Sequence, residues 1–177
     1  MSPPRLLLVG MMGAGKTTVG RLLARRLGWE YLDSDREVEE ATGRTVPELF
    51  AEEGEAAFRA AEARALAEGL AGDRPRVVSV AGGAVLSEAN RRLLTDGGTV
   101  VWLRARPATL AARVGAGEGR PLLGDDPAGA IEALDAVRRP LYDEVADLVV
   151  DVDGLTPDEV ATTVLDGVGL EPGAASR

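Results

Sequence analysis

Residues 10–17 read Gly-Met-Met-Gly-Ala-Gly-Lys-Thr, a G-x-x-x-x-G-K-S/T run. An apolar stretch at Arg5–Gly10 (RLLLVG) precedes it. From Thr17 to Leu27 the apolar residues Val19, Leu22, Leu23 and Leu27 follow at close to helical spacing. The run therefore bends a buried strand directly into a helix. Its glycines let successive backbone N–H groups converge on an anion, and the helix N-terminus adds a partial positive charge. In such a loop Gly13, Ala14 and Gly15 cradle phosphate oxygens with Thr18 beside them. Lys16 reaches the β- and γ-phosphates, and the Thr17 hydroxyl ligates Mg²⁺. A match to this pattern arises by chance in a chain this long on the order of one time in a hundred.

The basic residues sharpen that assignment. Of the 20 basic residues 19 are Arg, and the single Lys is Lys16. A compact ammonium on a flexible stem fits a phosphate cradle that a planar guanidinium does not. The formal net charge of −9 argues against a nucleic-acid partner, which calls for a basic face. With no Cys and no His, the chain has no disulfide, no thiolate or His-rich zinc site and no imidazole base. Proton transfer falls to Asp, Glu, Tyr or water. No run approaches the roughly 20 apolar residues of a membrane span, and the N-terminus lacks a signal-peptide layout. The expectation is a monomeric cytoplasmic enzyme in a single domain over residues 1–177.

Further apolar runs alternate with helical patterns. Strands are expected at Glu30–Asp33, Arg76–Ala81, Thr99–Leu103 and Leu148–Val152. Helices are expected over about 36–42, from Thr45 to Leu70 with an interruption at Gly54, from Ser87 to Thr95, Pro107–Arg113, about 128–146 with a kink at Pro140, and from Thr156 onward. Thr45 and Thr156 each have a Glu three residues later, the spacing of a capping box. Five short apolar strands separated by helices imply an α/β fold, a parallel sheet covered on both faces. Ligands then sit at the C-terminal strand ends.

Several short motifs stand along the chain: Asp33-Ser34-Asp35 after strand two, Phe58-Arg59 in a helix, Gly82-Gly83-Ala84 after strand three, Arg120-Pro121-Leu122 in the Gly-rich loop and Arg138-Arg139-Pro140-Leu141-Tyr142 in the long helix. Together with the phosphate loop, and in this order over about residues 5–167, they resemble the shikimate kinase family. The resemblance implies a three-layer P-loop kinase fold with strand order 2-3-1-4-5. It implies transfer of the ATP γ-phosphoryl group to the 3-hydroxyl of shikimate, with Mg²⁺, in aromatic amino-acid biosynthesis. It also implies a substrate-binding segment at about 34–62 and a mobile lid at about 115–127.

Shikimate carries one carboxylate and three hydroxyls. Arg59 and Arg138 suit the carboxylate, because a guanidinium pairs with it bidentately; the resemblance assigns them that role, while sequence alone favours surface or helix-face ion pairs. Asp33 and Asp35 are read as leaving strand two on one face. The resemblance places Asp33 near Mg²⁺ through water, and has Asp35 accept hydrogen bonds from substrate hydroxyls or take the reacting proton. The alternative for Asp35 is a plain helix cap. Gly82 and Gly83 let backbone approach the substrate. Arg120, in the Gly- and Arg-rich loop, would bring a cation to the developing phosphoryl charge. Arg113 either packs on adenine or complements a helix C-terminus. Phe50 and Phe58 belong to a pocket wall or a core, and Arg139 reads as a solvated neighbour.

Two departures stand out. Ala81 replaces the first of three glycines usual in the family, and Val152–Pro157 lacks the Arg that many relatives carry before the late Pro. A gluconate-type kinase is the nearest rival, but it places a His after the acidic pair. A GTPase needs an Asn-Lys-x-Asp motif, excluded with the one Lys at position 16.

Overall fold

The computed structural model of the protein describes residues 4–115 and 123–173. Strand β1 (Arg5–Val9) is buried at every position, which only a central strand covered on both faces permits. It lies between β3 (Arg76–Ser79) and β4 (Thr99–Arg104). The outer strands β2 (Glu30–Asp33) and β5 (Leu148–Asp151) complete a parallel sheet of order β2-β3-β1-β4-β5, the order implied by the resemblance. The register pairs Asp33 with Ser79, Leu8 with Ser79 and Val9 with Trp102. The C-terminal strand ends therefore share one edge.

Helices α1 (Lys16–Leu27), α2 (Ser34–Thr42), α3 (Val46–Ala71), α4 (Glu88–Gly97), α5 (Pro107–Val114), α6 (Pro127–Val145) and α7 (Pro157–Val168) join the strands. Leu6–Val9, Val77, Val78, Val100–Leu103, Leu23 and Leu27 build one large core with residues from α6 and α7. Both expected capping boxes form, at Thr45 with Glu48 and at Thr156 with Glu159. Gly54, at φ 86°, breaks α3 where the sequence indicates an interruption. Helix α6 continues through Pro140.

Two boundaries moved for local hydrogen-bonding reasons. Strand β3 ends at Ser79 instead of Ala81 because the Ala81 N–H turns away to the Ser34 hydroxyl at 2.8 Å. Helix α2 starts at Ser34, two residues early, because Asp33 caps it. A 3-10 turn at Ala84–Leu86 follows the Gly82-Gly83 pair. Helices α2 and α3 also enclose a separate small cluster of Val38, Leu49, Phe58, Ala61 and Ala65.

Candidate active site

The phosphate loop sits between β1 and α1. Lys16 Nζ donates to the carbonyls of Gly10 at 2.7 Å and Met11 at 3.1 Å, so the ammonium lies folded across its own loop. The Ala14 N–H also bonds to Met11 O, at 3.1 Å. Arg113, in the last turn of α5, donates to the Gly13 carbonyl at 3.1 Å. It thereby braces the loop from outside. Thr17 Oγ1 donates to Asp33 Oδ2 at 3.2 Å, which joins the loop to the end of β2.

Beside this loop opens a cleft of about 530 Å³, within the usual range for a small-molecule site. Gly13, Gly15, Lys16, Thr17 and Thr18 line its phosphate end, with Asp33 beside them. Asp35, Arg59, Gly82, Gly83 and Arg138 line the other end, together with Phe50 and Phe58. The two phenyl rings stand 4.8 Å apart between centroids, and Phe58 also closes the small α2–α3 cluster. Ala14 is buried under the loop. Arg120, Pro121 and Leu122 lie outside the described residues, as does most of the expected lid.

The acidic pair differs from the sequence reading. Asp35 is not on the strand; it is the second residue of α2, so period-two alternation does not govern it. The cap of α2 is Asp33, whose Oδ1 accepts from the N–H groups of Asp35 at 3.0 Å and Arg36 at 3.4 Å. The residue that shares a strand face with Asp33 is Tyr31, whose hydroxyl lies 3.3 Å from Asp33 Oδ2 and 2.9 Å from Ser79 Oγ. Burial is the main influence holding the Tyr31 phenol above its ordinary pKa, and the Asp33 charge adds to it.

The two arginines are held in opposite ways. Arg59 makes the helix-face ion pairs that sequence allowed: Nη1 lies 3.0 Å from Glu62 Oε1, and Nη2 lies 3.4 Å from Glu55 Oε1. A Cβ on Gly83 would overlap this guanidinium, 2.7 Å from its Cζ. Gly83 has φ −86°, so its missing side chain serves space and not backbone freedom. Glu62 is itself buried, and desolvation pushes its pKa up to about 7 against the pull of Arg59. Arg138 is 2% exposed and has no ion pair among the described residues. Its Nη1 lies 4.0 Å from Met11 Sδ and its Nε has no hydrogen-bond partner, while the Tyr142 hydroxyl and the charge of the buried Glu62 both act on the guanidinium. Tyr142 lies alongside, donating to the Gly82 carbonyl at 2.7 Å; burial keeps its phenol well above the ordinary value.

The family model for shikimate kinase matches residues 12–168. The chain belongs to the shikimate kinase family. It is a P-loop kinase, and its reaction is ATP-dependent phosphoryl transfer. The shikimate kinase of Moorella thermoacetica is 46% identical, over 94% of this chain and 95% of its own. That of Streptomyces coelicolor is 44% identical, over 97% and 99%. A solved shikimate kinase from Acinetobacter baumannii, in complex with shikimate, superposes with a TM-score of 0.90 at 39% identity, covering 94% of this chain and 93% of that one. A gluconokinase from Sinorhizobium meliloti reaches a TM-score of 0.61 at 22% identity, a likeness of fold alone.

Within this shikimate kinase family member, both departures find local support. Ala81 is buried, hydrogen-bonded through its N–H to Ser34, and no described non-glycine residue has positive φ. In the segment lacking the Arg, Asp153 instead accepts from Arg106 N at 3.1 Å and from the Thr109 hydroxyl. That pins the loop to the start of α5. Arg139 is more than a solvated charge, since it pairs with Asp135 at 2.9 Å and donates to Ala105 O at 3.2 Å. Sequence reasoning missed Glu62, Ser34 and Tyr31. Glu62 stands three residues after Arg59, a helix-neighbour spacing that was its one available signal.

Proposed function

We propose that this protein transfers the γ-phosphoryl group of ATP to the 3-hydroxyl of shikimate, giving shikimate 3-phosphate and ADP, in aromatic amino-acid biosynthesis. The observation that carries the proposal is Arg138. A buried cation with no carboxylate at ion-pair distance is costly unless something pairs with it. This one lines a cleft whose other end is a phosphate loop. The acceptor is therefore read as a small anion, and a carboxylate fits the guanidinium fork. Arg59, held over Gly83, supplies the second cation.

Each residue then has a task. Lys16 exchanges the Gly10 and Met11 carbonyls for β- and γ-phosphate oxygens, which are charged and hence stronger acceptors. Gly13, Ala14, Gly15 and Thr18 offer backbone and hydroxyl donors, and Arg113 supports the loop at Gly13. Thr17 would hold Mg²⁺ through its hydroxyl and Asp33 through water, hard oxygen donors of the kind that cation prefers. Bound there, Mg²⁺ would neutralise charge on the transferring phosphates. Asp35 orients the acceptor hydroxyl and accepts its proton; the loose transition state of phosphoryl transfer makes placement matter more than basicity. Gly82 and Gly83, in the turn after β3, shape the acceptor floor, facing the substrate-binding segment at about 34–62.

The same reading has a monomeric, single-domain cytoplasmic enzyme with no nucleic-acid or membrane partner. The net charge of −9 supports the first exclusion. Among the described residues no helix is long and apolar enough to cross a membrane. The test is ADP release in the presence of Mg²⁺, with shikimate, gluconate, quinate and nucleoside monophosphates offered separately. Shikimate is expected to stimulate release strongly. Stimulation by gluconate and not by shikimate would reassign the acceptor.

A further inference from the structure

Tyr31 is absorbed by no step above, yet it is built into the site with care. It lies on β2 two residues before Asp33, so both side chains leave the strand on the same face. Ser79 is the register partner of Asp33 on β3 and faces the same way. This face receives α1. A Cβ on Gly20 of α1 would come within 2.7 Å of Tyr31 Cε2 and 2.9 Å of Ser79 Oγ. Gly20 thus leaves a slot for the tyrosine ring, and the Arg21 guanidinium closes it from above, 5.6 Å from the ring centroid.

The hydroxyls in this slot have a defined order. Ser79 Oγ donates its proton to the Lys16 carbonyl at 2.9 Å, so toward Tyr31 it can only accept. The Tyr31 proton therefore points between Ser79 Oγ, at 2.9 Å, and Asp33 Oδ2, at 3.3 Å. On Asp33, Oδ1 is taken by the first turn of α2, while Oδ2 receives Thr17 and Tyr31. The carboxylate is gripped from both sides, and Tyr31 is the grip that comes from within its own strand.

We propose that Tyr31 is a positioning residue for the Thr17–Asp33 metal pair: its hydroxyl, seated on Ser79, holds the Asp33 carboxylate turned toward the Thr17 hydroxyl. This rests on the reading of Asp33 as the Mg²⁺-side carboxylate. When Thr17 Oγ1 turns a lone pair to a cation, Tyr31 keeps Oδ2 from swinging into the acceptor end of the cleft. Outer partners of this kind commonly tune metal affinity.

The test measures ADP affinity by calorimetry, once in EDTA and once with Mg²⁺; the ratio is the gain that the metal confers. Tyr31→Phe keeps the ring in its slot and removes only the hydroxyl. It is expected to leave ADP affinity in EDTA and shikimate affinity unchanged. The Mg²⁺-dependent gain should fall about threefold to tenfold, the range of one hydrogen bond. Tyr31→Leu, a second variant lacking the hydroxyl, should lose a similar part of the gain. An unchanged gain in Tyr31→Phe overturns the proposal, as does an equal loss of ADP affinity in EDTA, which marks a merely structural role. Asp33→Asn separates the two readings. If it reduces the gain while Tyr31→Phe does not, only the role of Tyr31 fails. If neither variant reduces it, the assignment of Asp33 fails as well.

Discussion

The two ends of the cleft are built on different principles. The phosphate end is a single contiguous segment, Gly10–Thr18, cast between β1 and α1 over the main core. Its charge, Lys16, rests on neutral carbonyls of its own loop. The acceptor end gathers α2, α3, the turn after β3 and α6, and its base is the small α2–α3 cluster. Its charges are more enclosed: Arg138 is buried with no carboxylate at ion-pair distance, and the half-buried Arg59 lies against the buried Glu62. A phosphate loop has most of its recognition in backbone N–H groups, which need only the right local path. A carboxylate site must bring cations from separate elements and hold them out of water. The second task invests stability in charge burial, so mutations there should separate function from stability.

The largest effect tests the phosphate end. Lys16→Arg should lower kcat about a thousandfold, comparable to losing a preorganised donor at a developing charge, with an unchanged circular dichroism spectrum. Near-normal turnover would remove the distinction drawn for the only lysine.

Arg138 tests the other end. Arg138→Ala removes a charged hydrogen bond worth about 1.5–3 kcal/mol, so kcat/KM for shikimate should drop about tenfold to a hundredfold while the KM for ATP holds. Arg138→Met should lose the same activity yet melt at a higher temperature than wild type, because an apolar chain replaces a buried charge that has no carboxylate at ion-pair distance. A lower melting point would mean that the charge is stabilising where it sits. Gly83→Ala adds a Cβ into the Arg59 guanidinium. The flexible Arg59 side chain can swing aside at little cost in stability, so the effect should appear mainly as a raised KM for shikimate.

The smallest effect is a pH dependence. Glu62 has its folded pKa raised from 4.5 to about 7. The folded state thus binds a proton that the unfolded chain has lost. The contribution of Glu62 to stability is full below about 4.5, declines as pH rises through that interval, and is lost above about 7. The charged form also competes with the substrate carboxylate for Arg59. The KM for shikimate should therefore rise modestly as pH passes through about 7, and Glu62→Gln should flatten both that profile and the melting temperature against pH.

The amino-acid sequence by itself determined the phosphate loop, the alternation of strands and helices, both capping boxes and the break at Gly54. Each of these rests on residues within a few positions of one another, where local conformation and period decide. It also supplied Arg59, Arg138, Asp33 and Asp35 as candidates through a resemblance, though not their surroundings. Only the tertiary structure decided that Asp33, and not Asp35, caps α2. It alone showed Arg138 buried with no carboxylate at ion-pair distance, Glu62 desolvated against Arg59, and Tyr31 wedged under Gly20 beside Ser79. Burial and cross-strand register depend on contacts such as Tyr31 with Ser79, 48 positions apart. No periodicity in the chain encodes that distance, so the phosphate end could be read along the sequence and the acceptor end had to be folded first.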